Sequence, residues 1–338
     1  MQIVYSVEEA FRTVSGGCVA TIGNFDGVHH GHQQLIKAVV RQSSEMSLPS
    51  VVVTFSPHPE QFFSPDTAPA LIMQEGAKLE LFAALGVDVA LILPFTADLA
   101  ELVPEDFVRN ILADGLHVRH LFVGHDYAFG KGRKGNSALL SELGGQYDFN
   151  FTQLMPVFAK GEVISSTRIR SCLQKGMVDE ARMLLGRPFF MPGTVMHGRK
   201  RGGSAIGFPT ANLCIPEKTL APANGVYATK VCVMPELPLP VATKGIVPTS
   251  PTGKEYFGVT NIGTSPTFGD VGLRVETHIL DFEGDIYDTP IRLWFIEYLR
   301  GEQKFASVQE LSQQISRDIA NARRFFSRLQ GSGPKATA

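Results

Sequence analysis

The sequence predicts two modules in series: an α/β unit on a mainly parallel sheet over residues 1–184, then an antiparallel β unit with a C-terminal helix over residues 185–330. Three observations carry this reading. The chain has 338 residues, which at roughly 150 residues per domain favours two domains over one. Before about residue 184, short apolar runs alternate with helix-like segments, the pattern of strands joined by crossover helices. Beyond Gly186-Arg187-Pro188-Phe189 the period drops to two, as in half-buried strands. No internal repeat relates the halves, so they are different modules.

In the first half, residues 18–22, 50–55, 87–93 and 120–123 are rich in Val, Ile and Leu and end at Gly or Pro, which predicts buried strands. Pro104 suits the first turn of a helix over 105–114 that stops at Gly115, and a helix over 76–85 stops at Gly86. Such a sheet is covered on both faces and binds ligands beyond its strand C-terminal ends. In the second half, 226–233, 255–262, 274–282 and 291–299 alternate, predicting a barrel or sandwich. Pro235, Pro238, Pro240, Pro248 and Pro251 mark an irregular insertion over 234–254, read as a long surface loop. After Phe305, the stripe Leu311, Ile315, Ile319, Ala322, Phe326 and Leu329 predicts a helix lying on the β unit, followed by a flexible polar tail, 331–338.

Composition narrows the partners. Hydrophobic residues make up 44% and charged residues 19%, and 31 basic against 33 acidic residues leave a formal charge of -2. That balance argues against blanketing of a nucleic-acid backbone. The N-terminal stretch carries acids and no long apolar core, and the run 87–93 is too short to span a bilayer. Cys18, Cys172, Cys214 and Cys232 are far apart with no CxxC pair, which suggests neither a disulfide framework nor a zinc ribbon. The expectation is a cytoplasmic protein with small-molecule ligands, no nucleic acid, no membrane, and a monomeric or weakly homo-oligomeric state.

The first candidate site lies in residues 19–40, VATIGNFDGVHHGHQQLIKAVV. A strand ends at Ile22, the glycine-containing turn 23–27 follows, and Leu35, Ile36, Val39 and Val40 give the next helix its buried face. His29 and His32 then stand three apart on one side of the helix start, beside free N–H groups and the positive end of the dipole. Two imidazoles there suit a polyphosphate and charge developing on it. The motif alone is also compatible with surface histidines of no role; three histidines within four positions could hold a metal, but no nearby Cys or carboxylate set has ligand spacing. No Walker A loop is present, since residues 124–131 have the wrong spacing. Downstream, Ser165-Ser166-Thr167-Arg168-Ile169-Arg170 opens another helix, capped by Ser165 or Ser166 and stopped at Gly176. An ordinary capped helix would look the same, but two arginines in the first turn oppose the dipole, and an anion would resolve the conflict.

GNFDGVHHGH followed by SSTRIR, with TFSPHP (54–59) and VGHDYAFGKGRKG (123–135), resembles the N-terminal module of bacterial bifunctional riboflavin kinase/FAD synthetases, members of the HxGH nucleotidyltransferase superfamily. The resemblance implies a Rossmann-like domain that transfers AMP from ATP to FMN and releases pyrophosphate. It implies further that His29 and His32 stabilise the α-phosphate transition state, that Gly23, Asn24 and Asp26 shape the ATP site, and that Ser166 and Arg168 hold the outer phosphates. His125 departs from the family pattern, which more often has GDDF where this chain has GHDY.

The second candidate site begins with residues 197–212, glycine-rich and basic before turning strand-like. Gly198, Lys200 and Gly207 belong to a loop whose amides and charge suit phosphate, although a merely flexible basic loop has the same composition. Thr210 and Asn212, two apart on an extended strand, point their oxygens the same way, and hard oxygen donors beside phosphates suit Mg2+. Glu276 shares a strand face with His278, opposite Val275, Thr277 and Ile279. Alone it reads as a solvent-facing carboxylate; near a nucleotide it can take a proton from an attacking hydroxyl.

GFPTANL, GVYAT, TNIGTSPTFG and VETHILDF, in that order, resemble the riboflavin kinase module of the same family. The resemblance covers roughly residues 15–325 and implies a six-stranded antiparallel β-barrel with a C-terminal helix, transferring the γ-phosphate of ATP to the ribityl 5'-hydroxyl of riboflavin. By it Glu276 is the base, Thr210 and Asn212 the Mg2+ and phosphate ligands, and the preceding loop the nucleotide cover. Ser265 stands where the family commonly has Arg, and Asp288 where it commonly has Gly. Three other readings compete: one active module beside a degenerate one, a flavin-binding protein without catalysis, and an RNA-directed nucleotidyltransferase. The proposed catalytic groups are all present, and the near-neutral charge disfavours the last.

Overall fold

The structure, a computed structural model, describes residues 1–197, 208–234, 253–265 and 272–331. The insertion expected over 234–254, apart from its ends, and the tail beyond residue 331 lie outside the described residues, as do Gly198, Lys200 and Gly207.

The first unit, Met1–Ser166, contains β1 (Gln2–Val4), α1 (Val7–Thr13), β2 (Cys18–Ile22), α2 (His30–Met46), β3 (Ser50–Ser56), α3 (Pro59–Phe63), α4 (Glu75–Ala84) and β4 (Val89–Pro94). It continues through α5 (Ala97–Glu101), α6 (Pro104–Phe107), β5 (Val118–Val123), α7 (Ser137–Gln146) and β6 (Asn150–Gln153), the last of six sheet strands, and then a separate antiparallel pair, β7 (Phe158–Ala159) and β8 (Glu162–Val163). The six strands form one parallel sheet in the order β1-β4-β3-β2-β5-β6. Every residue of β2 is buried, as strands covered on both faces require. The helix expected over 105–114 begins as α6 and continues as a π-helical segment, Val108–Ala113. The short edge strands β1 and β6 carry too few residues to show a period.

The strand order gives β2 its importance. From β2 the chain builds outward through β3 and β4, then places β5 and β6 on the other side. The turn leaving β2 therefore stands where the order reverses, the usual ligand position in an open parallel sheet.

The second unit begins at Thr167. It takes in most of α8 (Ser166–Gln174), then α9 (Val178–Leu185) and a closed antiparallel barrel. The strands are β9 (Phe189–Met196), β10 (Ala211–Cys214), β11 (Gly225–Val233), β12 (Lys254–Ser265), β13 (Gly272–Ile279) and β14 (Pro290–Arg300), ordered β10-β13-β12-β11-β14-β9. Closure leaves no edge strand, which a sandwich would have left. The change of period at residue 184 and the packing boundary at 166 differ because α9 packs on β9 and β14.

The expectation that the second-half strands are half-buried fails for β11, where only Lys230 and Val233 escape full burial. The reason is the C-terminal helix, α10 (Val308–Gly331): Ala322 and Phe326 pack with Val226, Ala228, Val259 and Ile296, so β11 has the barrel core on one side and a helix on the other. Leu329, placed by sequence on the buried stripe, is exposed. Asp318 on α10 takes three contacts from the Arg300 guanidinium at 2.7–3.1 Å, and Arg323 grips Asp281 with two hydrogen bonds. The strand β13 keeps its alternation: Val275, Thr277 and Ile279 are buried while Glu276 and His278 are half-buried on the other face.

Candidate active sites

In the first unit, one turn after β2 builds the site. His29 is the N-cap of α2, its Nδ1 accepting the His32 backbone N–H at 3.3 Å. A nitrogen that accepts this N–H carries no proton, so a neutral His29 ring has its proton on Nε2 and offers it as a donor. The His29 and His32 rings stack at 3.6 Å with planes 17° apart. His29 is buried and His32 half-buried. Gly31 permits the stack: a Cβ there would lie 3.1 Å from Cε1 and 3.2 Å from Nδ1 of His29. That is the physical reason for a glycine in the first turn of α2 between the two histidines.

The turn itself is backbone of an uncommon kind. Phe25 has φ 51° and Val28 φ 40°, left-handed values costly for an aromatic and a β-branched residue, and Gly27 has φ 81°. Such conformations persist when their surroundings over-determine them, and the contacts are visible here. Phe25 is buried edge-on against His32 and Phe82. The Asp26 carboxylate is buried and accepts the backbone N–H groups of Ile72 and Met73, each at 3.1 Å. The Ser166 hydroxyl donates to the Asp26 carbonyl at 2.8 Å. The Asn24 carbonyl accepts from Lys78 Nζ at 3.2 Å. Gly23 sits under the Phe25 ring, which a Cβ would approach to 3.2 Å.

These contacts redraw part of the sequence reading. The Asp26 carboxylate is committed to the backbone at 72–73, so what Asp26 shapes is the turn. Ser166 is the first residue of α8, and its side chain is bonded to the turn rather than capping the helix. In the second unit, Arg168 forms an ion pair with Glu180 of α9 at 2.8 Å, both side chains mostly buried. The charge conflict at the start of α8 is thus met in part by a carboxylate twelve residues on. Lys78 was not picked out from the sequence; its only local signal is a cation among the buried positions of α4. His125, the departure in GHDY, is exposed beside Asp126.

In the second unit the candidate residues come together across strands. Asn212 on β10 is in register with Glu276 on β13, and Glu276 with Asn261 on β12. All three are half-buried, on the barrel face opposite its core. Arg274 approaches the Glu276 carboxylate to 3.7 Å, with the Glu276 side chain 30% exposed. Thr210 precedes β10 and is half-buried, while Ala211 between it and Asn212 is buried, as two oxygens on one face require. His278, two residues beyond Glu276, has Nδ1 2.8 Å from the Pro209 carbonyl and its ring edge-on to Phe208. It ties the segment leading into Thr210 to β13, a role the sequence reading did not give it.

Beneath this face, Thr229, Thr260 and Thr277 are fully buried and bonded in a row, Oγ1 to Oγ1, at 2.8 and 2.9 Å. Asp288 has φ 57°, which explains the departure: an aspartate tolerates the left-handed region where glycine is usual. Ser265 ends β12, and its side chain lies outside the described residues. Among the described residues, no group of three or more His, Cys, Asp or Glu gathers as a metal cage.

Comparison with known proteins matches two families to successive stretches of the chain. The FAD synthetase family matches residues 12–168, and the riboflavin kinase family matches residues 185–326. A bifunctional riboflavin kinase/FMN adenylyltransferase of Escherichia coli K12 is 37% identical over 326 residues, 96% of this chain and 98% of its own. The protein of the same description from Pseudomonas fluorescens is 39% identical over 324 residues, 96% of this chain and 97% of its own. A crystal structure described as a macrolide-efflux protein from Streptococcus pneumoniae superposes with TM-score 0.80, at 28% identity, over 96% of this chain and 99% of that one. Among the described residues here, no helix is long and apolar enough to cross a membrane.

Proposed function

This chain belongs to the bifunctional riboflavin kinase/FMN adenylyltransferase family, and from that premise we propose how its own residues divide the two transfers. It phosphorylates riboflavin to FMN and adenylylates FMN to FAD. We assign adenylyl transfer to residues 1–184 and phosphoryl transfer to residues 185–330, with ATP the donor in both.

One observation carries the first assignment: the His29 cap of α2, stacked on His32 at the reversal point of the sheet. An FMN phosphate oxygen attacks the α-phosphorus of ATP, a P–O bond forms, and pyrophosphate leaves with the bonding pair. The histidines, with the N-terminal amides of α2, stabilise the charge that grows on the α-phosphate oxygens. The turn at Gly23, Asn24 and Asp26 sets where the nucleotide rests, Ser166 acts through its hydrogen bond to that turn, and Arg168 holds the leaving phosphates.

In the barrel, the riboflavin 5'-hydroxyl attacks the γ-phosphorus while Glu276 accepts its proton, and ADP departs. Thr210 and Asn212 offer a hydroxyl and an amide oxygen on one face beside that carboxylate, a hard donor set that fits Mg2+. When bound, the ion supplies positive charge to the nucleotide phosphates; Thr210 and Asn212 orient them, and Glu276 handles the proton. Gly198, Lys200 and Gly207 form the nucleotide cover. Cys18, Cys172, Cys214 and Cys232 form no disulfide, which suits a reducing cytoplasm as the place of work; we take the working state to be a monomer or weak homo-oligomer.

Purified protein incubated with riboflavin and MgATP, followed by chromatography, is expected to form FMN and then FAD. Failure to form either product would overturn the corresponding half of the proposal.

A further inference from the structure

A lysine ammonium is rarely buried unless something is gained from it. Lys78 on α4 is 8% exposed. Its Nζ donates to the Asn24 carbonyl at 3.2 Å and to the buried Thr54 hydroxyl at 3.1 Å. Thr54 in turn reaches the same Asn24 carbonyl at 3.4 Å, closing a triangle between α4, β3 and the turn after β2. Burial pushes the ammonium below the usual lysine range, while the carboxylates of Glu75 and Asp26 pull the other way. Lys78 thus binds the one carbonyl that immediately precedes the left-handed Phe25.

The position matters more than the charge. Residues 25 and 28 adopt backbone conformations that cost energy for their side-chain types. The next residue, His29, must present Nδ1 to the His32 N–H and its face to the His32 ring. The turn is pinned at Asp26 by the backbone at 72–73 and by Ser166. On its strand side, Lys78 and Thr54 both donate to the Asn24 carbonyl, and Lys78 makes the shorter contact, 3.2 against 3.4 Å.

We propose that Lys78 is a positioning residue for adenylyl transfer: by holding the Asn24 carbonyl it keeps the strained turn in the conformation that stacks His29 on His32. This rests on the reading of the first site given above. Lys78 touches no reacting atom in it and acts through the turn.

The test uses the full chain, whose kinase reaction serves as an internal control for folding and concentration. Lys78→Met keeps the length and volume of the side chain and removes the donors. The expected result is a fall in kcat for FAD formation from FMN on the order of 10- to 100-fold, the effect of a small misplacement at a transfer site. KM for ATP and FMN should stay within about threefold, and riboflavin phosphorylation within about twofold. Lys78→Arg, which retains a cation and donors, should exceed Lys78→Met in kcat. Should Lys78→Met fail to fold, the kcat and KM of Lys78→Arg decide. Amide hydrogen exchange over residues 24–32, read without turnover, should speed up in Lys78→Met.

Unchanged kcat in Lys78→Met overturns the proposal, as does a loss carried by KM alone or unaltered exchange over the turn. Failure of the underlying reading looks different. In that case His29→Ala with His32→Ala leaves FAD formation intact, whatever the exchange data show.

Discussion

The two units handle phosphate chemistry with opposite constructions. In the first, the candidate groups other than Ser166 and Arg168 lie within residues 23–32, and the backbone presents them: a strand ends, an uncommon turn reverses the chain, and a helix begins with His29 as its cap. In the barrel, the backbone is regular and the groups are side chains brought side by side by register, Asn212 beside Glu276 beside Asn261. A turn-built site depends on whatever holds the turn, here Asp26, Ser166 and Lys78. A register-built site depends on the sheet, and any strand that keeps its pairing keeps the site. The first should therefore be sensitive to small changes in packing, the second mainly to loss of the groups themselves.

The strongest way to break the comparison is Glu276→Ala. It should lower FMN formation by on the order of 10²- to 10⁴-fold, the usual contribution of a general base, and leave FMN-to-FAD conversion intact. Normal FMN production would remove Glu276 as base. Next in size, His29→Ala with His32→Ala should lower FAD formation on the order of 10²- to 10³-fold with the kinase step unaltered. An equal loss in both steps would contradict separate sites.

Smaller changes sharpen the contrast. Gly31→Ala pushes against the His29 ring, and should lower kcat for FAD formation by about tenfold through misplacement; a variant as active as the parent would show that the stack tolerates the shift. Thr260→Val deletes the middle hydroxyl of the buried row in the barrel. It should destabilise that unit by about 1–3 kcal/mol in denaturant unfolding, with kcat for FMN formation preserved because Glu276 keeps its register.

The smallest effect concerns pH. The Arg323 hydrogen bonds and charge hold the exposed Asp281 carboxyl below its ordinary value. A depressed carboxyl contributes stability above its unfolded value and loses it as pH falls through the folded one. Arg323→Ala should therefore narrow the drop in barrel stability between about pH 5 and pH 3, and identical acid limbs would show that the pair contributes nothing.

What was legible followed range along the chain. Residues 18–22 predict a strand and form one end to end, and the spacing of His29 and His32 places them together because a helix start is a local event. The alternation around Glu276 correctly put Val275, Thr277 and Ile279 on the buried face. The helix expected on the β unit does pack there, but three particulars were not legible, for a common cause. Lys78 meets Asn24 across 54 residues, α10 covers β11 in particular, and Arg168 finds Glu180 only because α8 and α9 fold back together.

Turn, cap and strand period depend on backbone sterics and hydrogen bonds between near neighbours, and the amino-acid order of this chain specifies them directly. Which carbonyl Lys78 grips, which asparagines flank Glu276, and which strand face a helix covers depend on the pairing of segments far apart. Those contacts exist only once the whole sheet or barrel has closed, since each depends on the summed burial of a core that no short stretch contains.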